Sequence, residues 1–188
     1  RPTTPEFVSG ADKSGGSFLF TAVHKGPYSS IQPLDGPLGE GRVSYLVEGA
    51  AKQERERDGL PYLDLAMAEA HWGTVEDYLR AGQVQAVIRG ISLRVEGPNA
   101  EEVVSAAAGR IGTPVFVVED FPGNYWPGAG ASLAGLFVEH ESLVDLYRDR
   151  GVDPRVVQVT GCPRYAPLAH VDRDAKRAAT RKALGLQA

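Results

Sequence analysis

Thr113 to Trp126, TPVFVVEDFPGNYW, is the stretch that decides the fold. Pro114 leads into an unbroken apolar run from Val115 to Val118, with no polar alternation. A strand that is apolar on both faces is buried on both, the habit of a central strand in a parallel sheet. The run ends abruptly in Glu119 and Asp120, followed by Pro122, Gly123 and Asn124. Open α/β sheets bind ligands in the crevice outside the carboxyl ends of their strands. This stretch therefore predicts a core strand that delivers two carboxylates and two aromatics, Tyr125 and Trp126, toward a site. Glu119 and Asp120 are neighbours, so in extended chain they point to opposite sides and one faces the crevice more easily.

The flanking chain alternates between the two periodicities. Upstream, strands are expected at Ser17 to Val23, Val43 to Val47, Leu60 to Leu65 and Gln85 to Ile91. Helices are expected at Ala50 to Arg57, at Thr74 to Ala81 with Thr74 as N-cap, and at Asn99 to Arg110 with Asn99 as cap. Glu101 and Glu102 suit the positive end of that last helix. Between His24 and Gly41 four glycines and three prolines argue for loop, not regular helix. Downstream come a glycine-rich loop from Pro127 to Gly130, a strand at Gly135 to Val138 and a helix opened by Ser142. A strand at Val156 to Val159 and a basic helix at Arg173 to Leu184 complete the chain. This order predicts a doubly wound, Rossmann-like α/β domain with a mainly parallel sheet of six or seven strands and helices on both faces. A TIM barrel needs eight such units and about 250 residues, more than the 188 present.

Composition excludes several classes. Hydrophobic residues make up 43% and charged residues 23%, with a net charge of −4 and no basic face, which argues against nucleic acid. No apolar run approaches 18 residues, so no membrane span is expected. The single cysteine, Cys162, excludes an internal disulfide and fits a reducing, cytoplasmic setting as a half-buried thiol. The chain begins at Arg1 without a signal-peptide pattern, and residues 1–16 are expected to be a flexible segment before a domain at 17–188. The expectation is a piece of a longer protein. Gly26, Gly36, Gly39 and Gly41 do not form G-x-G-x-x-G before a helix, so no dinucleotide cofactor is expected. Glu139-His140-Glu141 lacks a second histidine at ligand spacing, so no metal is expected either.

The segment VQVTGCPRYAPL, Val157 to Leu168, followed by a basic helix ending in Leu184-Gly185-Leu186, resembles the end of the N-terminal domain in GT-B glycosyltransferases and UDP-GlcNAc 2-epimerases. In both families a strand runs into Thr-Gly-x-Pro, here Thr160 to Pro163, then a helix, then an "LGL"-like segment. Family members often carry Asn where Cys162 stands. The resemblance implies an acceptor-binding domain of a GT-B glycosyltransferase. Its partners would be a small-molecule or glycan acceptor and a nucleotide-sugar held by a missing C-terminal domain or partner chain. By itself the chain would be inactive. The alternatives are half of a nucleotide-sugar 2-epimerase and a non-catalytic ligand- or partner-binding module. Epimerases often carry His-x-Glu-Ala-Gly after the central strand, a pattern from which Val118-Glu119-Asp120-Phe121 departs.

In inverting glycosyltransferases of this fold, a histidine after the first strand deprotonates the acceptor and a later acid orients it. The resemblance places His24 as that base and Asp120 or Glu119 as the orienting acid. A neutral imidazole near pH 7 with a carboxylate partner suits the task; the plain alternative is a surface loop histidine. Gly26, Tyr28, Arg89, Tyr125, Trp126, Glu139 and His140 are the candidate substrate-binding residues. Arg89 and Arg94 can hold an anion, and the two aromatics can stack on a sugar or pack their loop down. Glu139 and His140 can line the same crevice or be a plain solvated strand end.

Overall fold

The computed structural model describes residues 16–39, 41–93, 98–127 and 133–186. The expected flexible segment up to residue 15, Arg94 and most of the glycine-rich loop lie outside them. Six strands form one parallel sheet: β1 (Ser17–Ala22), β2 (Val43–Val47), β3 (Val84–Arg89), β4 (Val115–Val118), β5 (Leu133–Val138) and β6 (Val157–Val159), in the order β2-β1-β3-β4-β5-β6. The helices among the described residues are α1 (Lys25–Ile31), α2 (Asp35–Leu38), α3 (Gly49–Arg57), α4 (Leu65–Trp72), α5 (Val75–Ala81), α6 (Ala100–Ile111), α7 (Ser142–Asp149) and α8 (Arg173–Ala183). The fold is the Rossmann-like α/β arrangement that the sequence predicts.

Alternation along each strand sorts the core into two layers. Leu19, Val87, Val117, Leu136 and Val138 point into one layer, packed by residues of α4, α5, α6 and α7. Phe20, Ala22, Ile88 and Val118 point into the other, closed by Tyr28 and Ile31 of α1 and Ala51 of α3. Burying apolar side chains on both faces contributes about 25 cal/mol per Å² removed from water, which holds the strands without a polar edge.

Two stretches depart from the sequence reading. The Gly- and Pro-rich segment after His24 is helical: α1, a short 3₁₀ turn at Gln32–Leu34, then α2. Pro27 falls in the first turn of α1, where its missing N–H is not needed, and Pro33 opens the 3₁₀ turn in the same way. The strand expected at 60–65 shrinks to one parallel bridge, Leu46 with Leu63, beyond β2. Asp64 then caps α4 by accepting from the Met67 amide at 2.8 Å. The helix formers of LAMAEAHW take over before an edge strand can extend.

α1 lies close on the sheet because a glycine, Gly90, follows β3. A Cβ at Gly90 would stand 2.2 Å from Pro27 Cβ and 2.8 Å from its Cα. Gly90→Ala should therefore push α1 off the sheet and lower unfolding free energy by roughly 1–3 kcal/mol. Urea denaturation checks this, and an unchanged midpoint would mean that α1 is not held at this distance.

Candidate functional site

β1 and β3 are neighbours, with β2 on one side and β4 to β6 on the other. The direction of strand addition reverses here, so the loops after β1 and β3 flank the topological switch point. The loops after β4, β5 and β6 continue the same edge.

β4 divides its two acids between the layers. Glu119 is 1% exposed and turns into the α7 layer. Its Oε1 accepts the Gly123 amide at 2.7 Å and the Tyr147 hydroxyl. Tyr147 also accepts the Tyr125 amide at 3.3 Å. Glu119 thus fastens the loop that follows β4. Burial, with help from the Glu139 and Asp120 charges, pushes its carboxyl up to about 7, against the pull of the Gly123 and Asn124 amides. Asp120, half-buried, turns toward α1. Its Oδ2 lies 2.5 Å from where a Cβ at Gly26 would be, so Gly26 is the position that admits the carboxylate. Burial raises the Asp120 carboxyl, and the Arg164 charge opposes the rise.

Around this edge several buried polar atoms have no hydrogen-bond partner among the described residues: Asp120 Oδ1, Glu139 Oε1, Glu119 Oε2 and Arg164 Nε. Arg164 arrives through the turn Thr160 to Pro163, whose first two amides both bond the Val138 carbonyl, at 3.0 and 3.2 Å. Cys162 is buried in that turn, 3.4 Å from Ser30 Oγ, and ties it to α1.

His24 stands at the N-cap of α1 without a side-chain capping bond. No hydrogen bond or ion pair joins it to Glu119 or Asp120, and Asp120 meets this loop at Gly26. The residue that sequence reasoning missed is Glu101. Placed by its helix-dipole position alone, it belongs on a surface; in the fold it is 0% exposed. Its Oε1 accepts Ser92 Oγ at 2.7 Å and the Val23 amide at 3.3 Å, and its Oε2 accepts the Ser92 amide at 2.7 Å. The available signal was the polar Ser92 just beyond a strand end, too common to single out.

Other expected binding residues are engaged internally. Arg89 lies 3.6 Å from Glu101 Oε2 and donates to the Gly90 carbonyl and Ser105 Oγ, so its guanidinium is turned inward. Tyr125, 4% exposed, packs edge-on against Tyr147 and has no free face for a sugar. Trp126 is 70% exposed and stacks on Arg150, the residue after α7, which also donates to the Gly123 and Tyr125 carbonyls of the same loop. Tyr28 is buried, receives Arg55 on its hydroxyl at 3.3 Å, and backs a cleft of about 480 Å³ with Gln32, Glu54, Asp58, Arg164 and Pro167. His140 is exposed, 4.0 Å from Glu139 Oε2. Among the described residues no acidic or histidine cluster could hold a metal ion, and no helix is long and apolar enough to cross a membrane.

No protein-family model matches the sequence, and no curated protein matches it significantly. Solved structures do resemble the fold. The UDP-N-acetylglucosamine 2-epimerase from Rickettsia bellii superposes with a TM-score of 0.57 at 12% identity, over 92% of this chain and 52% of that one. The Neisseria meningitidis UDP-GlcNAc 2-epimerase bound to UDP-GlcNAc gives 0.55 at 11%, over 90% and 54%. The Methanocaldococcus jannaschii enzyme gives 0.54 at 11%, over 86% and 52%. At this identity the likeness is one of fold, and the chain spans about half the length of these relatives.

The position of Glu119 has a consequence for stability. Its folded pKa, about 7, lies above the ordinary 4.5. Between these values the folded state holds a proton that the unfolded state releases, so stability falls as pH rises through that window. Glu119→Gln keeps an acceptor for Gly123 and Tyr147 and removes the titration. Relative to the unsubstituted chain it should gain up to roughly 3 kcal/mol between pH 5 and 8, measured by urea denaturation at each pH. A difference that stays flat with pH would show that Glu119 does not titrate there.

Proposed function

We propose that this chain is the sugar-facing half of a two-domain nucleotide-sugar enzyme of the UDP-GlcNAc 2-epimerase type. One observation carries the proposal: the buried carboxylate oxygens Asp120 Oδ1 and Glu139 Oε1 at the ends of β4 and β5 have no donor among the described residues. A buried acceptor without a donor is costly, and the hydroxyl and amide groups of an N-acetylhexosamine supply donors. The same acids repel phosphate. The diphosphate is therefore assigned to the other half of the enzyme, a second domain or a partner chain. The solved epimerases of this fold, about twice the length of this chain, support that division.

Within this reading Asp120, set against Gly26, orients the sugar, and Glu139 with His140 lines its far side. Glu119 stays with the loop it fastens. His24, at the mouth of the switch point, is assigned as the base. A second reading, glycosyl transfer to an acceptor hydroxyl, uses His24 in the same capacity. The two differ in the hydrogen moved: the sugar's C2–H in one, an acceptor O–H in the other.

Titration of the 188-residue chain with UDP-GlcNAc, N-acetylglucosamine and UDP, followed by amide NMR, tests the proposal. The two sugar-bearing ligands should shift Gly26, Asp120 and Glu139, and UDP alone should not. Asp120→Asn should weaken UDP-GlcNAc binding about 10-fold or more, the worth of a hydrogen bond to a charged group. In D2O the chain alone should leave the sugar's C2–H unexchanged, since the phosphate-binding half is required for turnover. Shifts confined to other surfaces, or equal shifts with UDP, would overturn the reading.

A further inference from the structure

Glu101 occupies the second position of α6, behind the Asn99 cap. An acid placed there only to complement the helix dipole is normally left in water and contributes about 0.3–1 kcal/mol. Glu101 is withdrawn from water completely, and a buried carboxylate is tolerated only when it is paired and hydrogen-bonded. Its bonds are not spent on its own helix. Side-chain oxygens accept from Val23 at the end of β1 and from the amide and hydroxyl of Ser92 beyond β3. Ser92 Oγ, with its proton committed to Glu101, accepts the amides of Val23 at 3.3 Å and of His24 at 3.1 Å. Arg89 stands behind the carboxylate and bonds the Glu101 carbonyl and Ser105. One anion thus fixes two loops at the switch point, and its last link is the backbone of His24.

We propose that Glu101 is a positioning residue for His24, acting through Ser92, so that the buried charge sets where the imidazole stands over the crevice. The inference deepens the functional reading above and rests on it for the role of His24. The placement itself does not depend on that reading. A carboxylate accepts all three donors at once, whereas a carboxamide in its place turns an N–H toward one of them. Glu101→Gln therefore breaks the chain of bonds while keeping shape and volume.

Two measurements on the 188-residue chain separate the claims. In amide hydrogen exchange, Glu101→Gln and Ser92→Ala should each speed exchange at Val23 and His24 by about 10-fold or more, the loss of roughly one hydrogen bond. Amides in the middle of α6 and in β4 should keep their rates, and Glu101→Asp should restore part of the protection. The double variant should show no further loss at His24, because the two groups act in series. Unchanged rates at Val23 and His24, or a uniform acceleration through α6 and β4, would overturn the proposal. In UDP-GlcNAc titration the same variants should weaken binding to the extent that His24→Ala does. If the unsubstituted chain binds no UDP-GlcNAc, the functional reading fails and the exchange result still decides the positioning claim. Should Glu101→Gln fail to fold, Ser92→Ala carries the test.

Discussion

A strand buried on both faces cannot send two consecutive side chains the same way, and β4 ends in two acids. Glu119 continues the direction of Val117 and enters the α7 layer; Asp120 continues that of Val118 and meets α1. The first finds Gly123 and Tyr147 and becomes part of the loop's anchorage. The second fits the gap left by Gly26, and among the described residues one oxygen of each carboxyl has no partner. Backbone alternation thus sends two adjacent carboxyls into opposite layers, one onto the loop after β4 and the other against α1.

The rest of the edge is arranged around that division. α1 comes close because Gly90 and Gly26 leave no side chain in its way. The turn after β6 is bonded to the end of β5 and brings Arg164 toward Asp120. Glu101, from the other layer, ties the loops after β1 and β3. Elements far apart in sequence are therefore joined by charged or polar groups at the carboxyl end of the sheet.

Much of this was legible in the chain. The apolar run at 115–118 marked a central strand because no amphipathic alternative fits it, and capped helices such as α5 and α6 announced themselves through Thr74 and Asn99. The opposite directions of Glu119 and Asp120 followed from the period of a strand. What was not legible depended on neighbours. The helix after His24 exists because Pro27 tolerates a first turn and Gly90, 63 positions later, makes room (90 − 27). Local composition alone argued for loop. Arg89, a plausible anion ligand by its strand-end position, is claimed by Glu101, and Tyr125 by Tyr147. Glu101 itself looked like a dipole-complementing surface acid, since nothing in its local sequence reveals that two other strand ends converge on it.

Site-resolved carboxyl NMR, with Glu119 and Asp120 titrated from pH 4 to 9 in the presence and absence of UDP-GlcNAc, tests the division of the two acids most directly. The account predicts that Glu119 titrates near 7 in both conditions, because its partners belong to the fold, while the Asp120 titration moves when the sugar arrives. A Glu119 titration that follows the ligand while that of Asp120 stays fixed would contradict it.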